Sequence, residues 1–351
     1  MRFNDGRAAK RLAAGLAAMA MLATAACGSN DSGDSADGTP TLKVALLSTG
    51  GTTALQYIAE VKGFYEDFGV DVELLDNTGN NTLNLIASGD ADLALMASTG
   101  PITLKQRGKD ATIVAASTGG AAGGYLVGGE GFEEIEDLKG ERIATLGKGT
   151  SVYGHAALYS ERYGLDADLV PMESPAAAAA AVKSGQVAGA VGPYAGFAQL
   201  IADGSLNTLI DSRDPEVRAE KIGPDFPEGA LFGLTENVDE KRDAVERFLA
   251  ATDAAYTYMT ETDPGTLAQE LRTLESFKTI PEDALTGVVK DSLPHMHLNG
   301  GVMDEATWDL CLKQFSDWGL SDYSADDPDF AYDEIVDPTF MDEAKKLEQE
   351  G

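Results

Sequence analysis

The chain has 351 residues, 43 % of them hydrophobic, with 58 acidic side chains against 26 basic ones and a formal charge of −32. That length suits two domains, each able to bury a core, while so acidic a balance excludes nucleic acid as a partner and direct docking on anionic lipid. With only Cys27 and Cys311 present, a multi-cysteine metal cluster is excluded and no disulfide can form among core cysteines.

In chain order, Arg2, Arg7, Lys10 and Arg11 form a basic head, and "LAAGLAAMAMLATAA" is an apolar stretch too short and too alanine-rich for a spanning helix. Residues 1–26 therefore read as an export signal, and removing them takes the charge to about −35. The segment ends "LATAAC", which resembles the lipobox of bacterial lipoproteins, with Cys27 as the lipidated residue and Thr24 in place of the usual leucine. A plain secretory signal is the alternative. Residues 27–41, rich in Gly, Ser, Asp and Asn, read as a flexible tether.

The apolar run Leu42–Leu47 meets a Ser/Thr/Gly turn, then a helix from Thr53 to Lys62, Gly69, and a strand Val70–Leu75. This is a βαβ unit, which implies a parallel strand pair. A short helix, a turn at Ser88–Gly89, a strand Leu93–Ala97, a helix start at Gly100 and strands in "ATIVAAST" and "GGYLVGG" follow. The order then repeats: "GERIATLGKGTSVYGHAALYSERYGLDADLVPME" copies the opening unit, and Ser184–Gly185 matches Ser88–Gly89 at an offset of 96 residues. Two similar α/β lobes are expected. Beyond about residue 235 the texture is helical, with Asp, Thr or Pro at each helix head.

Several chemical constellations fail on spacing. A nucleotide P-loop around Gly147–Lys148 would need glycine where Arg142 stands and Ser or Thr where Gly149 stands. Ser151 and His155 share a helix face but lack an oriented third member, so they read as a helix-start serine and a helix-surface histidine. His295 and His297 fall short of a zinc ligand set among three histidines in all. The acidic "DDPDFAYDEIVD" lacks the ligand and turn glycine of a calcium loop. No cofactor and no metal are expected.

What remains is a repeated device. After successive strands come small uncharged polar residues at helix beginnings: Ser48, Thr49, Gly51, Thr52 and Thr53; Asn77, Gly79, Asn80 and Asn81; Ser98, Thr99 and Gly100; Gly149, Thr150 and Ser151; Ser174; Gly192 and Tyr194. Open parallel sheets place such loops along one edge, where ligands bind. Helix-start N–H groups there can hold an anionic or hydrogen-bond-rich ligand; for each residue taken singly, N-capping is the competing role.

Together "LKVALLSTGGTTALQYIAEVKGFYEDFGVDVEL", "LIASGDADLALMAS", "DLKGERIATLGKGTSVYGHAAL", "GLDADLVPM", "AAVKSGQVAGAV" and "DPTFMDEA" resemble the extracytoplasmic solute-binding proteins of ABC importers. The resemblance is to the nitrate, sulfonate and taurine group, which includes binders of thiamine-pyrimidine precursors. It implies a type II periplasmic-binding-protein-like fold: two mainly parallel sheets flanked by helices, with a ligand cleft between two lobes. Lobe 1 would be 42–130 plus 228–351 and lobe 2 131–227, closing about a hinge. Where the family often has an aromatic-Glu-Pro segment, this chain has Gly192-Pro193-Tyr194.

The implied protein is a monomeric, non-enzymatic lipoprotein on the outer face of the cell membrane or in the periplasm. It captures a small anionic or polar heterocyclic solute for a membrane permease. An enzyme on the same scaffold and a ligand-sensing accessory lipoprotein are the alternatives. The expected ligand residues are Thr49, Thr52, Thr53, Asn80, Ser98, Thr99, Thr150, Ser151, Tyr153 and Tyr194, with Tyr153, Phe197 and Tyr125 as aromatic walls or core. Lys148 either supplies local positive charge or points into solvent.

Overall fold

Among the described residues ten strands carry the architecture: β1 (Thr41–Leu46), β2 (Asp71–Leu75), β3 (Leu93–Ala97), β4 (Ala111–Ala116), β5 (Tyr125–Gly128), β6 (Arg142–Thr145), β7 (Asp168–Pro171), β8 (Gly189–Gly192), β9 (Asn207–Ile210) and β10 (Gly229–Leu234). The computed structural model describes residues 38–46, 51–76, 81–119, 123–148, 150–223, 227–318 and 323–350. The expected signal, the tether up to residue 37 with Cys27, and the site residues Thr49 and Asn80 lie outside them.

The strands form two five-stranded sheets of the same plan, β2-β1-β3-β10-β4 and β7-β6-β8-β5-β9. In the first, β1 is parallel to β2 and β3, while β10 is antiparallel to both β3 and β4. In the second, β6 is parallel to β7 and β8, while β5 is antiparallel to both β8 and β9. Each sheet thus has four strands running one way and one running against them. The odd strand is in each case the first after the chain crosses between lobes. It enters at the edge where the others end, so it must run away from that edge.

This places β5 in the second sheet, although a boundary at residue 130 would put it in lobe 1. The chain crosses after Ala116 and again after Ile222, since Val217 and Ile222 still pack on the second core. The two crossings pair with each other: Gly229 N–H donates to the Thr118 carbonyl (3.1 Å), Ser117 N–H to the Gly229 carbonyl (2.9 Å), and Gly119 bridges Pro227. The Gly119 N–H donates to the His295 carbonyl at 2.8 Å, tying the first crossing to the helical region. The Pro227 carbonyl accepts from Ser98 Oγ (2.7 Å) and from the buried Cys311 Sγ (3.2 Å), which fixes the second.

Both sheets are covered on both faces, which explains why their strands read as continuous apolar runs. Leu42, Val44 and Leu46 point to one side of the first sheet, toward Ala54, Phe248, Leu249 and Phe340; Ala45 points to the other, toward Trp308 and Phe315. In the second sheet Ile143 and Val191 meet Val152 and Tyr159, while Ala144 and Ala190 meet Ala178, Val182 and Phe197. The helices beyond residue 235 bury Phe248, Leu249, Leu267, Leu271, Phe277 and Phe340 in the first core. At about 1.5–3 kcal/mol each before chain entropy is set against it, that contribution makes them integral to lobe 1.

The lobes also touch away from the crossings. Gly154, in the Ser151–Arg162 helix of lobe 2, lies against Trp318, which ends the Glu305–Asp317 helix of lobe 1; a Cβ on Gly154 would fall 2.3 Å from the indole. Gly154→Ala should therefore force the indole aside and destabilise the chain by about 1–3 kcal/mol, read as a lower urea midpoint in unfolding followed by circular dichroism.

Candidate functional site between the lobes

Each crossing leaves the carboxyl end of one strand (β4 or β9) and enters the amino end of the antiparallel strand of the other sheet (β5 or β10), so the edges at which the parallel strands of both sheets end lie next to the crossings. On the lobe 2 side, β6 ends at Thr145 and a turn leads to Thr150, whose extended backbone (φ −108°, ψ 151°) starts the Ser151–Arg162 helix. The Thr150 hydroxyl accepts from Tyr153 N–H (3.2 Å) and donates to the Gly147 carbonyl (2.8 Å). It is committed to capping. Ser174 likewise caps the Pro175–Lys183 helix through Ala177 N–H at 3.2 Å.

Ser151 is different. It is half-buried, and its hydroxyl has no partner among the described residues. Its neighbours in the first turn also leave N–H groups without an intrahelical acceptor. Tyr153 is half-buried beneath exposed Lys148, whose Nζ stands 5.7 Å from the ring centre.

His155 is buried, not on the helix surface. Its Nδ1 pairs with the Ser151 carbonyl at 2.9 Å, its Nε2 has no partner among the described residues, and its ring lies 4.7 Å from Trp318. Burial lowers its pKa from 6.5 to about 4, against a smaller upward effect of the Ser151 carbonyl. A neutral imidazole bonded to the serine's backbone, not its hydroxyl, does not activate that hydroxyl.

On the lobe 1 side, Thr52 is exposed in the Gly51–Thr53 turn and Thr53 is buried at the start of the Ala54–Lys62 helix. Thr99 is half-buried at the head of the Gly100–Gln106 helix and makes no side-chain cap. The hydroxyls of Thr52 and Thr99 have no partner among the described residues. Ser98 is fully buried and donates to Pro227, so it pins a crossing and does not face a ligand.

The aromatic candidates divide in the same way. Phe197 and Tyr125 are core, Tyr125 with its hydroxyl 2.7 Å from Thr208 Oγ1. Tyr194, just after β8, is only half-buried, with its ring 5.2 Å from Tyr125.

Sequence reading missed the group that covers Tyr194. Arg213, just past β9, sets its guanidinium 3.5 Å from the Tyr194 ring centre. It grips Asp211 with two bonds (Nε–Oδ1 2.9 Å, Nη2–Oδ2 2.7 Å) and reaches Asp291 at 3.1 Å. Burial pushes Asp211 up, but the hydrogen bonds from Arg213 outweigh it and leave the carboxyl below its ordinary value. Asp291 sits above its ordinary value because burial exceeds the attraction of Arg213. One signal was present: "DSRD" puts an arginine at a strand end among loops otherwise poor in basic residues.

His297 Nε2 pairs with the Asp253 carboxylate, and no group of three His, Cys, Asp or Glu side chains able to hold a metal exists among the described residues.

A family model described as NMT1/THI5 like matches residues 52–264, well over half of the chain and parts of both lobes. The chain belongs to the NMT1/THI5-like family. No curated protein matches it at significance. Among solved structures, the periplasmic aliphatic sulphonate-binding protein of Escherichia coli superposes with a TM-score of 0.67 at 15 % identity, over 85 % of this chain and 92 % of that one. The periplasmic nitrate-binding protein of Synechocystis gives 0.65 at 16 %, over 88 % of each. The ligand-binding component of an ABC-type import system from Staphylococcus aureus, with zinc bound, gives 0.64 at 16 %, over 87 % and 98 %. At these identities the likeness establishes the fold, a two-lobe α/β periplasmic-binding-protein architecture.

Within this NMT1/THI5-like scaffold, buried His155 gives a pH signature. The unfolded chain binds the His155 proton at about pH 6.5 and the folded chain only near pH 4, so stability rises with pH across that window and is lost as pH falls through it. Relative to His155→Gln, the wild type should lose up to about 3 kcal/mol between pH 6.5 and 4, measured by urea unfolding at a series of pH values.

Proposed function

We propose that this chain is the solute-binding component of an ABC importer, acting outside the cytoplasmic membrane and binding without catalysis. The observation that carries the reading is the meeting of two strand-end edges across a hinge, with the uncommitted hydroxyls of Thr52, Thr99 and Ser151 at helix starts on both. The solute-binding names of the structural neighbours support it. The proposed solute is small and rich in acceptor oxygens or ring nitrogens, either an anion or a polar heterocycle.

In this mechanism the solute first meets one lobe, and hinge closure then brings the second set of donors onto it. Ser151 and the first N–H groups of its helix supply donors and the positive helix end, while Tyr153 and Tyr194 supply flat apolar contact. Thr49 and Asn80 extend the same edges in the sequence. The closed pair of lobes is the surface a permease reads. Anchoring through Cys27 keeps the protein at the membrane, and a secreted form without the lipid is the alternative.

The test is calorimetric titration of nitrate, alkanesulfonates, taurine and pyrimidines against the full chain. One binder is expected, and Ser151→Ala should weaken it about fivefold, the loss of one hydrogen bond near 1 kcal/mol. Thr150→Ala should lower stability by about 1 kcal/mol through the lost cap with a smaller effect on affinity. Turnover of any compound in the panel in place of binding would overturn the reading.

A further inference from the structure

We propose that Arg213 is a latch between the lobes, held by Asp211 on its own side and closing on Asp291 across the cleft. Three observations carry it. First, the partners belong to different bodies: Asp211 and Arg213 follow β9 in the second sheet, whereas Asp291 lies in the last turn of the Glu282–Ser292 helix, which packs into the first core through Leu285 and Val289. The 3.1 Å bond from Nη1 to Asp291 therefore exists only while the lobes are together.

Second, the guanidinium is prepared for that bond. The two-pronged grip of Asp211 fixes its plane, and the Tyr194 ring covers one face at 3.5 Å. A planar fork held in this way loses less side-chain freedom on forming its last bond than a lysine would. The side chains are about one-third exposed or less (31 % for Arg213, 30 % for Asp211, 20 % for Asp291), so the pair is better shielded from water and salt than a surface ion pair.

Third, the latch connects to both ligand edges. On one side it braces Tyr194. On the other, the helix end bearing Asp291 is pressed on the Gly51–Thr53 turn so tightly that a Cβ on Gly51 would lie 1.9 Å from Ser292 Oγ. Opening the latch frees the Tyr194 wall and the turn carrying Thr52 to move apart. With two carboxylates already on one guanidinium, Arg213 is a tie between lobes and not a receptor for an anionic solute.

The latch is independent of the solute, although its role in capture rests on the solute-binding reading. It is tested first on the unliganded full chain by small-angle X-ray scattering, comparing wild type with Asp291→Asn, Arg213→Gln and Arg213→Lys; circular dichroism checks that each variant is folded, and Asp291→Ser replaces Asp291→Asn if that one is not. A larger radius of gyration in both the Asp291 and Arg213→Gln variants is expected. An unchanged radius in all variants overturns the latch, and expansion in Arg213→Gln alone overturns the cross-lobe bond while leaving Arg213 as a support for Tyr194. With a binder from the titration panel, Asp291→Asn should raise the dissociation rate about five- to tenfold with the association rate little changed. Failure to find a binder would count against the solute-binding reading and leave the scattering result standing.

Discussion

The structure depends on where the chain crosses between its two halves. Both crossings lie at the edge where the parallel strands end, and from this follow the single antiparallel strand in each sheet, the exchange of β5 and β10, and the face-to-face placement of the helix starts. The crossings are tied to lobe 1 by hydrogen bonds to backbone carbonyls: Ser98 Oγ and Cys311 Sγ both donate to Pro227, and Gly119 N–H donates to His295. Leaving a buried partner unpaired costs about 1–3 kcal/mol, so Ser117–Gly119 and Pro227–Gly229 are held in place where the chain crosses. Movement of one lobe on the other must then be absorbed by a few backbone angles at this ribbon.

Charge sets the second constraint. A chain at −32 presents an unfavourable field to any anion, and Arg213, beside Tyr194, is already shared by Asp211 and Asp291. Binding of an anionic solute would therefore have to rely on short-range donors: helix-start N–H groups and hydroxyls, whose reach is a single hydrogen bond and whose strength does not depend on net charge. The same donors suit an uncharged polar heterocycle. Lys148 is exposed, with its Nζ over the ring of Tyr153, where water screens most of its charge.

The duplicated α/β order was legible in the sequence because fully covered strands write themselves as apolar runs and their helices begin at small polar residues. The position of β5 was not, since nothing in "YLVG" distinguishes a strand that stays in the first lobe from one that has just crossed. Site residues divided by what their hydroxyls touch. Ser98, Thr150 and Ser174 look like Thr52, Thr99 and Ser151 in sequence, yet the first three are bonded to backbone and the second three have no partner among the described residues. A helix-start hydroxyl can cap or bind, and only its local geometry decides which. Arg213 escaped notice because its meaning comes from Asp291, 78 residues away on another lobe.

The stretch "ATLGKGTSVYGH" shows how tightly these demands are packed. Ala144 and Thr145 are buried in the sheet, Thr150 caps the helix that follows, and Ser151 is half-buried at its first position with no hydroxyl partner among the described residues. Gly154 and His155 then serve a different purpose: the first makes room for Trp318 of the other lobe and the second packs against it. One helix thus presents its first residue toward the proposed ligand space and, a turn later, meets the opposite lobe. Because the helix is rigid over so short a distance, a shift at Ser151 on engaging a solute cannot be separated from a shift at the Trp318 contact. On the proposed function, capture and lobe movement would be coupled through the same element, with Arg213 and Asp291 forming a second contact elsewhere between the lobes.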